Sequence, residues 1–162
     1  MHWEFRTGLL IGLGATVAAG LYCTWLWQAE RQIARHTENF FHRVESKDWS
    51  RVADLIAADY RDQWNNDRAL VLERMRFVLG GGHRFRIRGV DPDCRIDNGV
   101  GVWRARVLIE SDDAELMSVV KERVNSLTSP FELEWRRVSG KPWDWKLVRV
   151  SNTELEIPAG FE

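Results

Sequence analysis

Three segments of the chain place apolar residues at helical spacing, so that one face of each helix would be apolar and the opposite face charged. The first segment has its inward positions at residues 33, 37, 40, 41 and 44, and the second at residues 49, 52, 55 and 56. The third has them at residues 71, 75, 78 and 79, and it stops at the three glycines 80–82. The pattern predicts three helices, and Ser46 or Asp48 is suited to cap the second.

After residue 83 the period changes to two, which is typical of strands. The predicted inward side chains of four strands are Phe85, Ile87, Trp103, Ala105, Val107, Ile109, Phe131, Leu133, Trp135, Trp143, Trp145 and Leu147. Asp97-Asn98-Gly99 favours a type I′ hairpin turn between the first two strands. A short helix is predicted over 113–127, with Asp112 and Glu115 at capping-box spacing. Helices followed by a mostly antiparallel sheet with one apolar face predict the α+β class.

Residues 8–27 carry no charge, in a chain of which 29% of the residues are charged. Roughly 20 apolar residues in a helix cross about 30 Å of hydrocarbon. A cleaved signal peptide is the alternative, but the apolar run continues well beyond Ala19, which is rare for a processed signal. We therefore expect an uncleaved single-pass anchor in the cell membrane. The expected parts are a tail (1–7), a transmembrane helix (8–27), one domain (28–157) and a C-terminal tail (158–162).

Small residues recur at every fourth position of this segment, at Gly8, Gly12, Thr16, Gly20 and Thr24. On a helix they fall near one face, where they would let two helices approach closely. The stripe predicts a homodimer through the membrane helix, although glycine is common in membrane helices in general. The side of the membrane on which the domain lies stays open. The periplasmic side is favoured, because a short N-terminus before a single span is more often cytoplasmic in bacteria.

The charge of the chain is balanced, with 23 basic and 24 acidic residues. Nucleic-acid binding needs an excess of Lys and Arg to displace counterions, so we expect no nucleic-acid partner. The outward face of the predicted sheet mixes acidic residues with Arg84, Arg86, Arg88, Arg104, Arg106, Arg136 and Lys146. We interpret this face as a solvated ladder of cross-strand ion pairs. The alternative is a docking face for an anionic partner protein or for lipid headgroups.

Two stretches of the chain resemble a known superfamily. LIAADYRDQW covers the end of the second predicted helix and the residues after it, and GKPWDWKLVRV forms the last predicted strand. With the order of the elements, these stretches are similar to the nuclear-transport-factor-2-like (NTF2-like) superfamily over residues 28–157. The resemblance implies a cone of curved sheet wrapped around helices. The superfamily includes steroid isomerases, polyketide cyclases, dehydratases and non-catalytic binding domains, and some members carry one N-terminal membrane span.

Enzymes on such cones use a carboxylate or a histidine whose pKa is shifted by apolar surroundings. The candidates of this type are Asp59, Tyr60, Asp62 and His83, and the resemblance would put Asp59 and Tyr60 near the rim of the cavity. Asp59 is more simply a surface carboxylate at a helix end, and Tyr60 a core ring. His36 and His42 lack an acidic or cysteine partner in register, so we expect no metal. No nucleotide-binding or hydrolase motif occurs, and no cofactor is expected.

Four of the predicted inward residues are tryptophans, namely Trp103, Trp135, Trp143 and Trp145. Such bulk more often fills a cone than lines a working cavity. The alternative is an aromatic pocket for an apolar ligand such as a lipid or a quinone. The first functional hypothesis is therefore a non-catalytic, membrane-tethered binding or assembly module. The alternative is an isomerase- or hydrolase-like enzyme that acts on a small apolar substrate in the cone.

Overall fold

The computed structural model describes residues 16, 20, 28–81, 84–111, 115–141 and 143–156. The helices are α1 (Ala29–Glu45), α2 (Trp49–Leu55), α3 (Arg68–Leu79) and α4 (Glu115–Asn125). The strands are β1 (Phe85–Asp97), β2 (Val100–Ser111), β3 (Phe131–Arg137) and β4 (Trp145–Asn152). The α+β class is confirmed for this part of the chain, and so is the helix predicted between β2 and β3.

Aspartates cap the two helices that follow α1. The Asp48 carboxylate accepts a hydrogen bond from the Arg51 amide (3.4 Å) at the start of α2, and Asp67 accepts one from the Leu70 amide (2.9 Å) at the start of α3. In α3 the most buried side chain is Leu72, which the pattern omitted. The predicted inward residues are only half-buried, namely Val71, Met75, Val78 and Leu79. Because α3 contacts both α2 and α4, apolar side chains on two of its sides share the burial.

The strands form one antiparallel meander in the order β1-β2-β3-β4. The β1–β2 hairpin turns at Asn98 and Gly99, whose φ angles of 49° and 80° are the positive values that a type I′ turn requires. The predicted hairpin is thus confirmed. β1 pairs with β2 to the end of both strands, whereas β3 pairs with β2 only as far as Ala105.

The apolar face of the sheet agrees with the prediction, with one exception. The predicted inward residues that are buried are Phe85, Trp103, Ala105, Val107, Ile109, Leu133, Trp135, Trp145 and Leu147. Ile87 and Phe131 are partly buried and pack against this core. The prediction was wrong for Trp143, which is 57% exposed. β4 begins only at Trp145, the register partner of Arg137. Trp143 therefore lies in the preceding turn, where the alternation of a strand does not apply.

α1 lies across this apolar face and runs antiparallel to β1. In its first half, Ile33 packs on Gly101 so closely that a Cβ atom at Gly101 would lie 2.2 Å from Ile33 Cδ1. At its last residue, Glu45 accepts a hydrogen bond from the Ile87 amide (2.7 Å). Gly101 is near the β1–β2 turn, and Ile87 is near the start of β1. α1 therefore covers the sheet along most of the length of the hairpin.

Side-chain amides satisfy backbone groups at two edges of the sheet. Where β2 extends beyond β3, the Asn125 amide accepts from the Ile109 N–H (2.8 Å) and donates to the Ile109 carbonyl (3.0 Å). At the end of β4, the Gln63 amide accepts from the Asn152 N–H (2.9 Å) and donates to the Asn152 carbonyl (2.6 Å). Each amide takes the place of a neighbouring strand, so these backbone groups are not left unpaired at an edge.

The outward face of the sheet carries cross-strand ion pairs. They are Arg88–Glu110 (3.6 Å), Arg104–Glu132 (3.3 Å) and Arg149–Glu134 (3.9 Å). Because both partners are substantially exposed, each pair contributes only about 0–1 kcal/mol to stability. The predicted ladder is confirmed for these pairs, and docking of a partner protein on this face stays a prediction.

Most of the predicted membrane segment lies outside the described residues. Of the predicted helix–helix interface, Gly8 and Gly12 lie outside them, whereas Thr16 and Gly20 are described as helical and exposed. Among the described residues, no helix has the length and hydropathy needed to cross a bilayer. The anchor, its self-association and its topology stay predictions. His83 and Asp112 also lie outside the described residues.

Candidate functional site

Several large side chains of α1 and of the apolar face of the sheet are fully or almost fully buried. Trp135 and Ile33 are 0% exposed, Leu147 is 1% exposed and Trp145 is 2% exposed. Trp103 is 3% exposed. For the four tryptophans a filled cone was expected and an aromatic pocket was the alternative. Trp103, Trp135 and Trp145 are packed as core, and Trp143 lies outside the apolar face.

The two predicted catalytic candidates, Asp59 and Tyr60, lie in opposite environments. The Asp59 side chain is 64% exposed and accepts hydrogen bonds from Arg136 Nη2 at both carboxylate oxygens (2.7 and 2.8 Å). These bonds lower the pKa of the Asp59 carboxyl below its usual 3.8. Tyr60 is 3% exposed, and burial, together with the Asp62 charge, raises the pKa of its hydroxyl. A surface ion pair and a buried neutral phenol do not form an acid–base pair.

Asp62 is buried in the turn before α3. Its Oδ1 accepts hydrogen bonds from the amides of Trp64 (3.0 Å) and Asn66 (2.8 Å), and its Oδ2 accepts one from Asn66 Nδ2 (2.7 Å). Asn66 in turn accepts from Arg74 Nη1 (2.8 Å). The carboxylate thus fixes the path of the chain into α3, and its lone pairs are largely used within the turn.

His36 and Cys94 are half-buried groups near α1 and β1. Burial lowers the pKa of His36 below 6.5, so its imidazole is neutral at neutral pH. Burial and the nearby acids Asp93, Glu30 and Glu38 raise the pKa of Cys94 to about 11, so its sulfur is a thiol and a poor nucleophile. Within the described part of the chain, no group of three His, Cys, Asp or Glu side chains is arranged to hold a metal ion.

A cleft of about 240 Å³ lies between α1 and β1. The residues of α1 that line it are Thr37, Glu38, Phe41, His42 and Glu45. Those of the sheet are Ile87, Arg88, Gly89, Pro92 and Trp103. Pockets for drug-sized ligands measure about 300–1,000 Å³, so this cleft matches a smaller molecule.

Gly89 shapes the apolar wall of the cleft. A Cβ atom at this position would lie 2.6 Å from Trp103 Cζ2, so the absence of a side chain lets the indole lie against β1. The Phe41 ring meets Trp103 edge-on, with ring centroids 5.4 Å apart and an interplanar angle of 83°. A register shift between Val90 and Asp93 then bends β1 just beyond Gly89.

Four polar side chains of α1 line the cleft, and they are in different states. Glu45 is held by its bond from the Ile87 amide, and its Oε2 lies 3.9 Å from Nδ1 of the exposed His42. Thr37 is 0% exposed, and its hydroxyl has no hydrogen-bond partner in the described structure. A buried hydroxyl left unpaired costs about 1–3 kcal/mol. The position of Thr37 therefore needs an explanation other than stability.

The edge of β1 adds backbone groups to the cleft. The N–H and C=O of Ile109 bond to the side chain of Asn125, on the side of β2 that faces away from β1. Its register partner Ile87 donates its N–H to Glu45, on the side of β1 that faces away from β2. Ile87–Ile109 is therefore a pair without hydrogen bonds between its two strands. Antiparallel pairs alternate, so Gly89–Val107 is of the same kind. The N–H and C=O of Gly89 are thus directed away from β2, on the side from which Glu45 approaches.

Sequence reasoning did not find this cleft, although Trp103, which lines it, was one of the four tryptophans considered for an aromatic pocket. Thr37 was grouped with the apolar positions of its helix, and Glu45 carried no visible signal. Gly89 was a further available clue, because a glycine inside an alternating strand often marks the close approach of another group.

No family model and no curated protein matches the chain. Among solved structures, an NTF2-like protein from Cytophaga hutchinsonii matches with a TM-score of 0.53 and 16% identity, over 75% of this chain and 93% of that one. The fold is NTF2-like. A provisionally assigned scytalone dehydratase from Novosphingobium aromaticivorans has a TM-score of 0.56 and 12% identity, over 79% and 88% of the two chains.

The match to Bd1075 from Bdellovibrio bacteriovorus has a TM-score of 0.56 and 10% identity, and it covers 75% of this chain but only 40% of Bd1075. Identities at this level show the fold alone. The resemblance drawn from the sequence is therefore confirmed as a resemblance of fold.

Proposed function

We propose that this NTF2-like domain is a non-catalytic binding module whose ligand occupies the cleft between α1 and β1. One observation carries the proposal: the core residues Trp135 and Ile33 are 0% exposed, while the cleft between α1 and β1 has a volume of about 240 Å³. A ligand can enter the cleft without displacing the core.

The states of Asp59 and Asp62 argue against catalysis by either of these two residues. A general base needs a carboxylate that reaches the substrate and keeps a lone pair available for its proton. Among the described residues, Asp62 is the one buried carboxylate, and its hydrogen bonds are made within its own turn. Asp59 is exposed and paired with Arg136. Neither carboxylate is among the residues that line the cleft.

The indole N–H resonances of Trp103 and Trp135 test the proposal in the full-length protein. We expect 2-phenylethanol or 2-phenylethylammonium to shift the Trp103 resonance saturably and to leave the Trp135 resonance unchanged. Gly89→Ala should abolish the shift, because the added Cβ would lie 2.6 Å from Trp103. Gly140→Ala is the control, since nothing lies within 4 Å of its Cβ position. A saturable shift at Trp135, or no shift at Trp103 with either probe, would contradict the proposal.

An isomerase- or hydrolase-like enzyme is the second candidate. The observation that favours it is the shared fold with a provisionally assigned scytalone dehydratase. This function requires the interior to admit an apolar substrate, with Asp59 or Tyr60 near it. The same titration separates the candidates, because an interior substrate site would make Trp135 respond.

We further propose that residues 8–27 tether the module to the cell membrane as a single-pass anchor, with the domain on the periplasmic side. The support is the uncharged length of this segment. The full chain should remain in the membrane pellet after alkaline carbonate, and its release would refute the anchor. Gly12→Ile should weaken self-association in a membrane reporter assay, whereas Leu10→Ile should leave it unchanged. Equal signals from the two variants would end the pairing hypothesis.

A further inference from the structure

We infer that the cleft between α1 and β1 binds a small organic ammonium ion, with Glu45 and Glu38 as its counter-charges and the Thr37 hydroxyl as a hydrogen-bond acceptor. The inference rests on the proposed function, because it names the class of ligand for the same cleft.

The charge of the lining favours a cation. Glu38 and Glu45 both line the cleft, and Arg88 is the one Lys or Arg among its lining residues. The Arg88 guanidinium lies 3.6 Å from Glu110 Oε1, so its charge is partly balanced at the rim. His42 is 70% exposed and lies at the solvent side. Glu38 is exposed as well, so Glu45 is the charged group of the cleft that solvent screens least.

The pKa of Cys94, on β1, indicates a negative potential near the cleft. Cys94 is the register partner of Trp103, which lines the cleft. After burial, the acids Asp93, Glu30 and Glu38 are the causes that raise the pKa of this thiol. A field that disfavours a thiolate there also favours a cation nearby.

The Glu45 carboxylate is already held in place in the structure without a ligand. Its side chain is 22% exposed, so its charge is screened by solvent less than that of a surface carboxylate. The Ile87 amide fixes one oxygen at 2.7 Å, and the second oxygen has only the long 3.9 Å contact with His42. A fixed carboxylate with one available oxygen loses little freedom on binding an ammonium group.

Thr37 provides an independent observation that points to a ligand. Thr37 lines the cleft, and its hydroxyl is buried and unpartnered. A threonine in a helix commonly satisfies its hydroxyl with a backbone carbonyl one turn earlier. An ammonium N–H is a donor that the oxygen could accept, and binding would remove the penalty of an unpaired polar group.

The apolar part of the lining accounts for the body of the ligand. Trp103 and Phe41 meet edge-on at 5.4 Å, and rings near an ammonium group attract it through their π-electrons. The volume of about 240 Å³ limits the ligand to a short chain or a single ring. An amine that carries one aromatic or branched aliphatic group fits these conditions.

Three probes with the same phenyl body and different charge test the inference on the full-length protein. They are 2-phenylethylammonium, 2-phenylethanol and 3-phenylpropionate, and their affinities are measured from the Trp103 indole shift. We expect the ammonium ion to bind about tenfold more tightly than the alcohol and the carboxylate to bind most weakly. Raising the salt concentration should reduce this preference.

Two variants identify the groups responsible. Glu45→Gln keeps an acceptor for the Ile87 amide but removes the charge, and it should weaken ammonium binding roughly fivefold while the alcohol is unaffected. Thr37→Val should weaken ammonium binding severalfold without lowering the melting temperature, because it removes an unpaired hydroxyl. Glu122→Gln, at an exposed position of α4, is the control and should change nothing.

The outcomes separate this inference from the proposed function. If all three probes shift Trp103 with equal affinity, or if Glu45→Gln binds the ammonium ion as well as wild type does, the ammonium assignment is wrong and the cleft remains a binding site. If the carboxylate binds most tightly, the cleft prefers anions and the ammonium assignment is wrong. If no probe shifts Trp103, the proposed function fails as well.

Discussion

Adding one methyl group at Gly101 tests how α1 packs on the sheet. The Cβ of an alanine would lie 2.2 Å from Ile33 Cδ1 and 2.4 Å from Ile33 Cγ1, with Trp145 Cζ3 at 3.4 Å. Ile33 is 0% exposed, so its side chain has no solvent-filled space into which it can turn. Either Ile33 leaves its preferred rotamer, or α1 moves away from β2.

The magnitude follows from two opposing effects. Replacing glycine by alanine at a position that alanine can adopt stabilises a protein by about 0.4–1 kcal/mol, because the unfolded chain loses freedom. Forcing an extra carbon into a packed core costs about 1–3 kcal/mol. At distances this far below van der Waals contact, the second effect is the larger. We expect Gly101→Ala to lower the free energy of unfolding by roughly 0.5–2 kcal/mol, a loss of several degrees in Tm at most for a chain of this size.

Urea unfolding followed by tryptophan fluorescence measures this loss, with all variants in the same solvent. Gly140→Ala is the matched control, since no atom lies within 4 Å of its Cβ position and the substitution should be neutral or slightly stabilising. Ile33→Val removes Cδ1, the atom nearest to the new methyl group. The double variant should therefore be more stable than the sum of the two single losses, by about 0.5 kcal/mol or more. If Gly101→Ala is as stable as Gly140→Ala, α1 does not lie on the sheet as described.

Three further predictions concern single side chains. Trp145→Ala should lower the free energy of unfolding by about 3–5 kcal/mol, as expected for a core aromatic residue. Trp143→Ala, at a 57% exposed position, should change the free energy of unfolding by less than about 0.5 kcal/mol. Equal losses in the two variants would mean that β4 begins earlier. Asp59→Asn should give no gain in Tm, and NMR titration should place the pKa of Asp59 below 3.8 and return it toward 3.8 in Arg136→Gln. The Asp59–Arg136 pair adds to the free energy of unfolding above the pKa that Asp59 has in the unfolded chain, and this contribution is lost as the pH falls through the lower pKa of the folded state. At neutral pH, removing the charge of Asp59 should therefore bring no stabilisation. A gain in Tm would instead indicate a strained, functional carboxylate. Burial holds the pKa of His36 below 6.5, so just below pH 6.5 the unfolded state binds more protons than the folded state, and the free energy of unfolding falls on acidification. His36→Gln should reduce the dependence of stability on pH in this window. An unchanged dependence would mean that His36 is not buried.

The sequence predicted the elements of the fold wherever a local pattern was sufficient. Asn98-Gly99 specifies its turn through two positive φ angles, and the alternation of β2 from Trp103 to Ile109 places every second side chain in the core. Trp143 shows where local reasoning ends. It keeps the period of Trp145 and Leu147, but strand pairing stops at Trp145 opposite Arg137. The end of a strand depends on its partner, which the sequence pattern does not contain.

The cleft was beyond prediction for a different reason. It joins Thr37 and Glu45 on α1 to Gly89 on β1 and Trp103 on β2, which come together only when the helix lies across the hairpin. Each of these residues has an ordinary local meaning: a threonine on a helix face, a glutamate in a last turn, a glycine in a strand. In the folded structure two of these residues lower stability. The Thr37 hydroxyl is buried without a hydrogen-bond partner, and Gly89 is a glycine inside a strand. Local rules that are broken together at one place mark a functional site more often than a packing error. This argument supports the proposal that the cleft, and not an aromatic pocket inside the core, is the ligand site.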